Sequence, residues 1–259
     1  MRSGVTAARA QPMIRIVAVT AVRQETRALL AALAGPRRRP GSSPTWEARA
    51  GANAVVVVEG GVGEAAARRT RAVVAIDACD VLVSFGFAGG LVPDAGPGTL
   101  VVADEVVWEE GGGRGFARYL VPEHLVRVLA ASLPHALHRG SVRGRLLSSP
   151  VVLATPAAKA AAGARARAVA VEMETAALAA LATERGAGLL PLRAILDPVD
   201  LSLAMLPPGL ESSWRSRARA AARPRSWPLL AILRRDAKRS AAALRAVAAA
   251  VLPSLHRLA

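Results

Sequence analysis

At 259 residues, 53% apolar and 20% charged with a net charge of +15, the chain suits one large globular domain with a sizeable core and excludes a disordered one. Its longest strongly apolar runs, such as Val55–Val58, have strand length, short of the roughly 20 residues of a membrane span, and the start MRSGVTAARAQP lacks the apolar stretch of a secretory signal. A single cysteine, Cys79, excludes an internal disulfide and a cysteine-rich metal site, and makes a cytoplasmic location the expectation.

Residues 1–12 are expected to be a disordered N-terminus and residues 13–259 one domain. The β-branched run Ile14–Thr20 predicts a first strand, and Arg23–Leu33 a helix stopped by Gly35-Pro36. Arg37–Pro44 is basic and rich in Pro, Gly and Ser, and reads as a locally disordered loop. Trp46–Ala50 and Ala54–Glu59 fit a hairpin around Gly51-Ala52-Asn53, and Gly60–Gly63 then leads into a helix to about Asp77. Val81–Phe85 is a buried strand in pattern, ending in Gly86–Gly90. Leu100–Trp108 is another strand, followed by a glycine-rich loop at Gly111–Gly115. Pro122–Leu133 reads as helix, Ser141–Ser148 as strand, and Thr155-Pro156 opens a helix with Pro at its first position. Val169–Val171 makes a short buried strand before the helix-favouring Ala176–Leu181, and Leu189–Leu196, apolar except for Arg193, makes the last strand. A proline-broken loop runs through Pro208, and residues 209–259 form a basic helical region. Strands alternating with helices predict an α/β layered fold.

This order places acidic groups at the mouths of two successive elements. Glu172, Met173 and Glu174 sit at a strand-to-helix junction, and Asp197 stands at a strand end before Pro198. In open α/β sheets ligands gather outside the carboxyl ends of strands, where carboxylates can face a common pocket. The plainer alternative makes Glu174 an N-terminal helix charge and Asp197 a turn former. Gly60-Gly61-Val62-Gly63 lies between strand and helix, where backbone N–H groups can cradle an anion or a ribose. It lacks the Lys-Ser/Thr of a P-loop and the spacing of a dinucleotide fingerprint. The glycines of GFAGGL suit either close approach of backbone to ligand or a tight turn. Of the 34 basic residues only Lys159 and Lys238 are lysines; eleven basic residues against two acids fall in Glu211–Ala259, together with Trp214 and Trp227. That mixture suits an anionic lipid surface, a nucleic acid or a solvated helix face.

Taken in order, several segments resemble the nucleoside phosphorylase and methylthioadenosine nucleosidase superfamily over about residues 13–200. They are VTAVRQE (Val19–Glu25), EGGVG (Glu59–Gly63), SFGFAGGL (Ser84–Leu91), the run Pro97–Asp104, VAVEMETAALA (Val169–Ala179) and RAILD (Arg193–Asp197). The proline-rich stretch after Asp197 and the basic C-terminal region resemble most the hopanoid-associated phosphorylases. The resemblance implies a three-layer α/β/α fold with a central mixed β-sheet. It also implies cleavage of a purine N-glycosidic bond with release of adenine, from adenosylhopane in the hopanoid branch.

The roles follow residue by residue from that resemblance. Asp197 would be the acid that protonates the departing purine, and Glu174 would hold the ribose hydroxyls over Met173, beside Glu172. Val151 and Val152 would pack the purine, with Phe87, Ala88 and Gly89 completing the substrate site. Glu25 matches the carboxylate that activates water in the hydrolytic branch, whereas Arg23 two residues away, if it points inward, would attract inorganic phosphate as co-substrate in the phosphorolytic one, with Gly61 and Gly63 to bind it. Phosphorolysis is the expected route, and hydrolysis of the methylthioadenosine/adenosylhomocysteine type the alternative. No metal or organic cofactor is expected. At least a homodimer, a peripheral contact with the inner face of the membrane, and no nucleic-acid partner complete the expectations. Phe87, Thr99, the Ser148-Ser149-Pro150 segment and Leu196 depart from the family pattern by losing polar groups, which favours a bulky lipophilic 5′ substituent. A non-catalytic nucleoside- or nucleic-acid-binding protein is a further alternative, against which stands the joint presence of Glu25, Glu174 and Asp197.

Overall fold

The computed structural model describes residues 13–41, 44–74, 77–110, 115–206 and 224–258. The expected disordered N-terminus, most of the Gly111–Gly115 loop and Trp214 lie outside the described residues. The elements run β1 (Arg15–Thr20), α1 (Arg23–Leu30), β2 (Ala34–Arg38), β3 (Thr45–Ala50), β4 (Asn53–Glu59), α2 (Glu64–Val74), β5 (Val81–Gly90), β6 (Leu100–Glu109) and β7 (Phe116–Leu120). They continue as α3 (Glu123–Ser132), α4 (His135–Arg139), β8 (Ser141–Ser148), α5 (Pro156–Ala166), β9 (Ala168–Glu172), α6 (Thr175–Arg185), β10 (Gly188–Asp197) and α7 (Trp227–Val251).

The strands form one mixed sheet with helices on both faces. Alternation along the strands decides which side chain meets which layer. Ile16 and Ala18 of β1, Val83 of β5 and Leu190 of β10 join Leu29 of α1, Leu125 and Leu129 of α3, and Leu244 and Val247 of α7. Their neighbours Val17, Val19, Leu82 and Leu189 join Ala66 and Val74 of α2 and Leu178 and Leu181 of α6 on the opposite face. The basic C-terminal region is therefore no appendage: Leu244, Ala248 and Val251 are wholly buried in the larger core.

The topology around β5 creates the cleft. One edge of β5 pairs in parallel with β10 over nearly its whole length. The other edge is divided: Val81–Ser84 pair with β1, and Gly89-Gly90 pair with β9. The strands β5, β9, β8, β6 and β10 close into a ring, while β1, β4, β3 and β2 extend the sheet as a wing. Between Ser84 and Gly89 the sheet forks, and among the described residues no strand covers the backbone of Phe85–Ala88 on that edge. Side chains complete the hydrogen bonds there instead: Phe87 N–H donates to Glu25 Oε1 at 2.8 Å, and Phe87 O accepts from Arg193 Nη1 at 3.3 Å.

Three local expectations are corrected. The first helix ends at Leu30, and Ala34–Arg38, expected partly as helix stop and partly as disordered basic loop, is an exposed edge strand against β3. An edge tolerates Pro36, whose missing N–H no partner needs. GFAGG is no turn after β5 but its second half, because the fork leaves room for glycines on a strand. Phe116–Leu120 adds a strand, β7, paired with β6. No helix among the described residues is long and apolar enough to cross a membrane.

Candidate active site

The fork opens onto a cavity of about 190 Å³. Its walls come from Ala21, Val22 and Glu25 after β1, from Val62 after β4, from Phe87, Ala88 and Gly89 of β5, and from Val171–Glu174 at the end of β9 and just beyond it. Leu196 and Asp197 at the end of β10, Lys159 of α5, the rim Val151–Leu153, and Leu203 complete it. The expected Asp197, Glu25, Glu172, Met173, Glu174, Val151, Val152, Phe87, Ala88 and Gly89 are thus brought together.

Glu25 sits in the first turn of α1 and is 3% exposed. Its Oε2 accepts from the N–H groups of Ala21 (2.8 Å) and Val22 (3.1 Å), closing the helix start, and its Oε1 accepts from Phe87. Burial pushes the carboxyl up from its ordinary range; the Arg193 charge and the three backbone donors pull the other way. A carboxylate held this way is fixed in place and poised to take a proton.

Glu172, expected as a substrate contact, lines the cavity and is also bound within the protein. Its oxygens accept from Glu174 N–H at 3.0 Å and from Thr175 N–H and Oγ at 3.0 and 2.7 Å, and Oε2 lies 2.5 Å from Arg193 Nη2. It caps the start of α6 and anchors the guanidinium, and so orients the site. Glu174, 7% exposed, accepts from Gly63 N–H at 3.3 Å through Oε1 and approaches Arg193 at 3.4 Å through Oε2. Burial pushes the Glu174 carboxyl up to about 8, opposed by Arg193 and assisted by the neighbouring Glu172 and Glu25.

This has a consequence for stability. The folded state keeps a proton on Glu174 that the unfolded chain releases near 4.5. The associated stabilisation is complete below that pH and lost as pH rises through about 8. Glu174→Gln, neutral at every pH, is expected to flatten this decline and to melt relatively higher at pH 9 than at pH 5 against wild type. Parallel melting curves for the two proteins across that range would contradict the assignment.

Arg193 is the organiser that sequence patterning did not single out. It is 2% exposed in the middle of β10, and its Nη2 donates to Ser84 Oγ (2.6 Å) and Thr175 Oγ (3.2 Å) as well as to the two glutamates. In the sequence it shows as a lone arginine within an eight-residue apolar run and as the first residue of RAILD. Gly86 makes room for it: a Cβ there would stand 2.5 Å from Glu25 Oε1 and 2.6 Å from Arg193 Nη1. Lys159 was equally hidden, a single lysine in an alanine-rich helix with no acid one turn away; it lies 2.6 Å from Asp197 Oδ2.

The phosphate-binding expectation is not met by these positions. Arg23 is exposed and forms no part of the cavity wall. The Gly63 amide is committed to Glu174, and Val62 rather than Gly61 faces the cavity. Val151 and Val152, expected to pack a base, are 61% and 52% exposed and form the rim.

Three carboxyl groups, Glu25 in the first turn of α1, Glu174 at the start of α6 and Asp197 at the end of β10, can hold hydroxyls, accept a proton and deliver one around a ligand that develops positive charge. The fold is shared with solved nucleosidases. S-adenosylhomocysteine nucleosidase from Streptococcus pyogenes, in complex with 5-methylthiotubericidin, is 21% identical with a TM-score of 0.70, covering 93% of this chain and 98% of that one. The 5′-methylthioadenosine/S-adenosylhomocysteine nucleosidase of S. pneumoniae, with a transition-state inhibitor, matches at 21% identity and 0.70 over 92% and 99%. That of Neisseria meningitidis, with methylthio-immucillin-A, matches at 18% and 0.69 over 91% and 98%. No curated protein matches the chain in sequence. A family profile described as "Phosphorylase superfamily" matches residues 15–248, nearly the whole chain. The chain belongs to the phosphorylase superfamily.

Proposed function

We propose that the protein cleaves the N-glycosidic bond of an adenine nucleoside, with water as the nucleophile. The observation that carries this is the convergence of Glu25, Glu174 and Asp197 on one cavity. Asp197 protonates the purine as it leaves, and burial, raising its carboxyl above the ordinary range, helps it carry that proton. Glu174 accepts hydrogen bonds from the ribose hydroxyls, and its ionised form, favoured by the Arg193 charge, favours positive charge at the anomeric carbon. Met173 floors the sugar. Glu25 takes a proton from the attacking water, and its own burial raises it toward the pH at which it works.

Water is favoured over the phosphate expected from the sequence because the cations at the cavity are already paired. Lys159 is tied to Asp197, Arg193 to Glu172 and Glu174, and Arg23 is exposed. Among the described residues, an incoming phosphate would meet Glu25 without a free cation beside it.

The rim supports a lipophilic 5′ substituent, such as the hopane of adenosylhopane. Val151, Val152, Leu153 and Leu203 line the mouth, and Met205 beyond it is 50% exposed. The exposed Arg234, Arg235, Lys238 and Arg239 of α7, with Ile232 37% exposed, support docking on an anionic bilayer that would hold such a substrate. Adenine release is the test, from adenosine and from a 5′-alkylated adenosine in anionic vesicles, with and without phosphate. Release without phosphate, faster for the alkylated nucleoside, is expected. An absolute phosphate requirement would contradict the hydrolytic reading, and a preference for adenosine would contradict the lipophilic one.

A further inference from the structure

Lys159 lies inside α5 with its side chain 1% exposed. A fully buried ammonium is tolerated where its donors are met and its charge is balanced. Here all three N–H bonds are used: Nζ is 2.7 Å from Pro198 O, 3.0 Å from Leu201 O and 2.6 Å from Asp197 Oδ2. The Pro198–Leu201 turn is closed by its own bond from Leu201 N–H to Pro198 O at 3.2 Å, and Leu203 N–H donates to Ala154 O at 2.7 Å just ahead of α5. One side chain thus crosses from a helix of the ring to hold the end of β10 and the turn that follows it.

We propose that Lys159 is a positioning residue for the leaving-group acid, gripping Asp197 through Oδ2 and fixing the 198–201 turn so that Oδ1 is presented to the base. The identity of that base rests on the nucleoside reading above; the grip does not. On the far side β5 brings no charge but only Gly89, where a Cβ would stand 3.2 Å from Oδ2 and 3.5 Å from Oδ1. Behind β10, α7 supplies Ser240, whose hydroxyl donates to Ile195 O at 2.5 Å, while its Asp236 is paired with Arg235. Asp200 on the turn is exposed, and Glu25, Glu172 and Glu174 gather around Arg193 instead. Lys159 is the charged group acting directly on Asp197 among the described residues.

Burial pushes the Asp197 carboxyl up and Lys159 pulls it down. Removing the ammonium leaves burial unopposed, and Asp197 then keeps its proton to higher pH. A neighbouring opposite charge moves a carboxyl by about 1–3 pH units, which sets the expected size.

The test titrates the Asp197 carboxyl carbon by NMR in the full chain labelled with ¹³C-aspartate, the signal being assigned by its loss in Asp197→Asn. In Lys159→Met the midpoint is expected about 1–3 pH units above wild type, and in Lys159→Arg close to wild type. The basic limb of kcat/KM for adenosine should move in the same direction as the midpoint. A folded Lys159→Met with an unmoved midpoint overturns the proposal, as does an equal rise in Lys159→Arg, which would point to packing rather than charge. Should Lys159→Met fail to fold, Lys159→Gln, which keeps a donor for Pro198 O, is read by the same criterion. The titration needs no turnover, so an inactive wild type would sink the nucleoside reading and leave this result standing.

Discussion

Asp197→Asn is expected to lower adenine release from adenosine by about 10²–10⁴-fold, the usual contribution of a positioned general acid, with little change in KM. Asparagine keeps the size of the side chain and an oxygen for Lys159 Nζ but removes the charge that balances the buried ammonium, so a loss of stability accompanies the loss of chemistry, and rates are compared at a temperature where circular dichroism shows the variant folded. The discriminating comparison uses a riboside whose leaving group departs without protonation, such as a nitrophenyl riboside. On that substrate the same variant is expected to fall by no more than about tenfold, because the missing proton is not needed. An equal loss on both substrates would show that Asp197 acts on binding or on the fold and would end its assignment as the acid.

The second large effect is on stability. Arg193→Met retains length and apolar bulk but removes the cation shared by Glu172 and Glu174 and felt by Glu25. Breaking a buried ion pair by removing one partner costs about 3–5 kcal/mol, because the other charge is left uncompensated. Ser84 Oγ, Thr175 Oγ and Phe87 O lose a donor in the same step. With the guanidinium gone, burial acts on the Glu25 and Glu174 carboxyls with less opposition and their pKa values rise further. Their protonated forms then carry stability that is present at low pH and lost as pH rises. Urea unfolding should therefore show a larger deficit against wild type at pH 8 than at pH 5. A deficit below about 1 kcal/mol, or one independent of pH, would contradict the central place given to Arg193.

Much of the layered fold was legible because its signals are local. Ile16–Val19, Val81–Val83 and Leu189–Leu192 alternate between two cores, and runs of that kind read as buried strands whatever surrounds them. The carboxylates were legible for the same reason, since Glu174 and Asp197 follow such runs directly. The fork in β5 was not. It arises because β1 and β9, about 150 residues apart, share one edge of a single strand, and nothing in SFGFAGG announces two partners. The edge strand Ala34–Arg38 was hidden by Gly35-Pro36, which punctuates chains in general but is tolerated where no neighbour needs the N–H.

The pairings inside the site were the least legible part. Arg193 and Lys159 gain their meaning from acids that are distant in sequence or across a layer, and in one dimension each is an isolated cation among apolar residues. Arg23, by contrast, was over-read: two residues from Glu25 along a helix, it points to a different side and is exposed. Helical geometry separates neighbours at that spacing by about 200°, which is why proximity in sequence misled.

Product analysis in ¹⁸O-labelled water, with phosphate present and an adenine nucleoside as substrate, separates water from phosphate as the nucleophile. Hydrolysis is expected, with one labelled oxygen on the anomeric carbon of the released sugar and no sugar phosphate. Unlabelled ribose 1-phosphate would establish phosphate as the nucleophile and remove the role given to Glu25, and intact nucleoside after long incubation would contradict the proposed reaction itself.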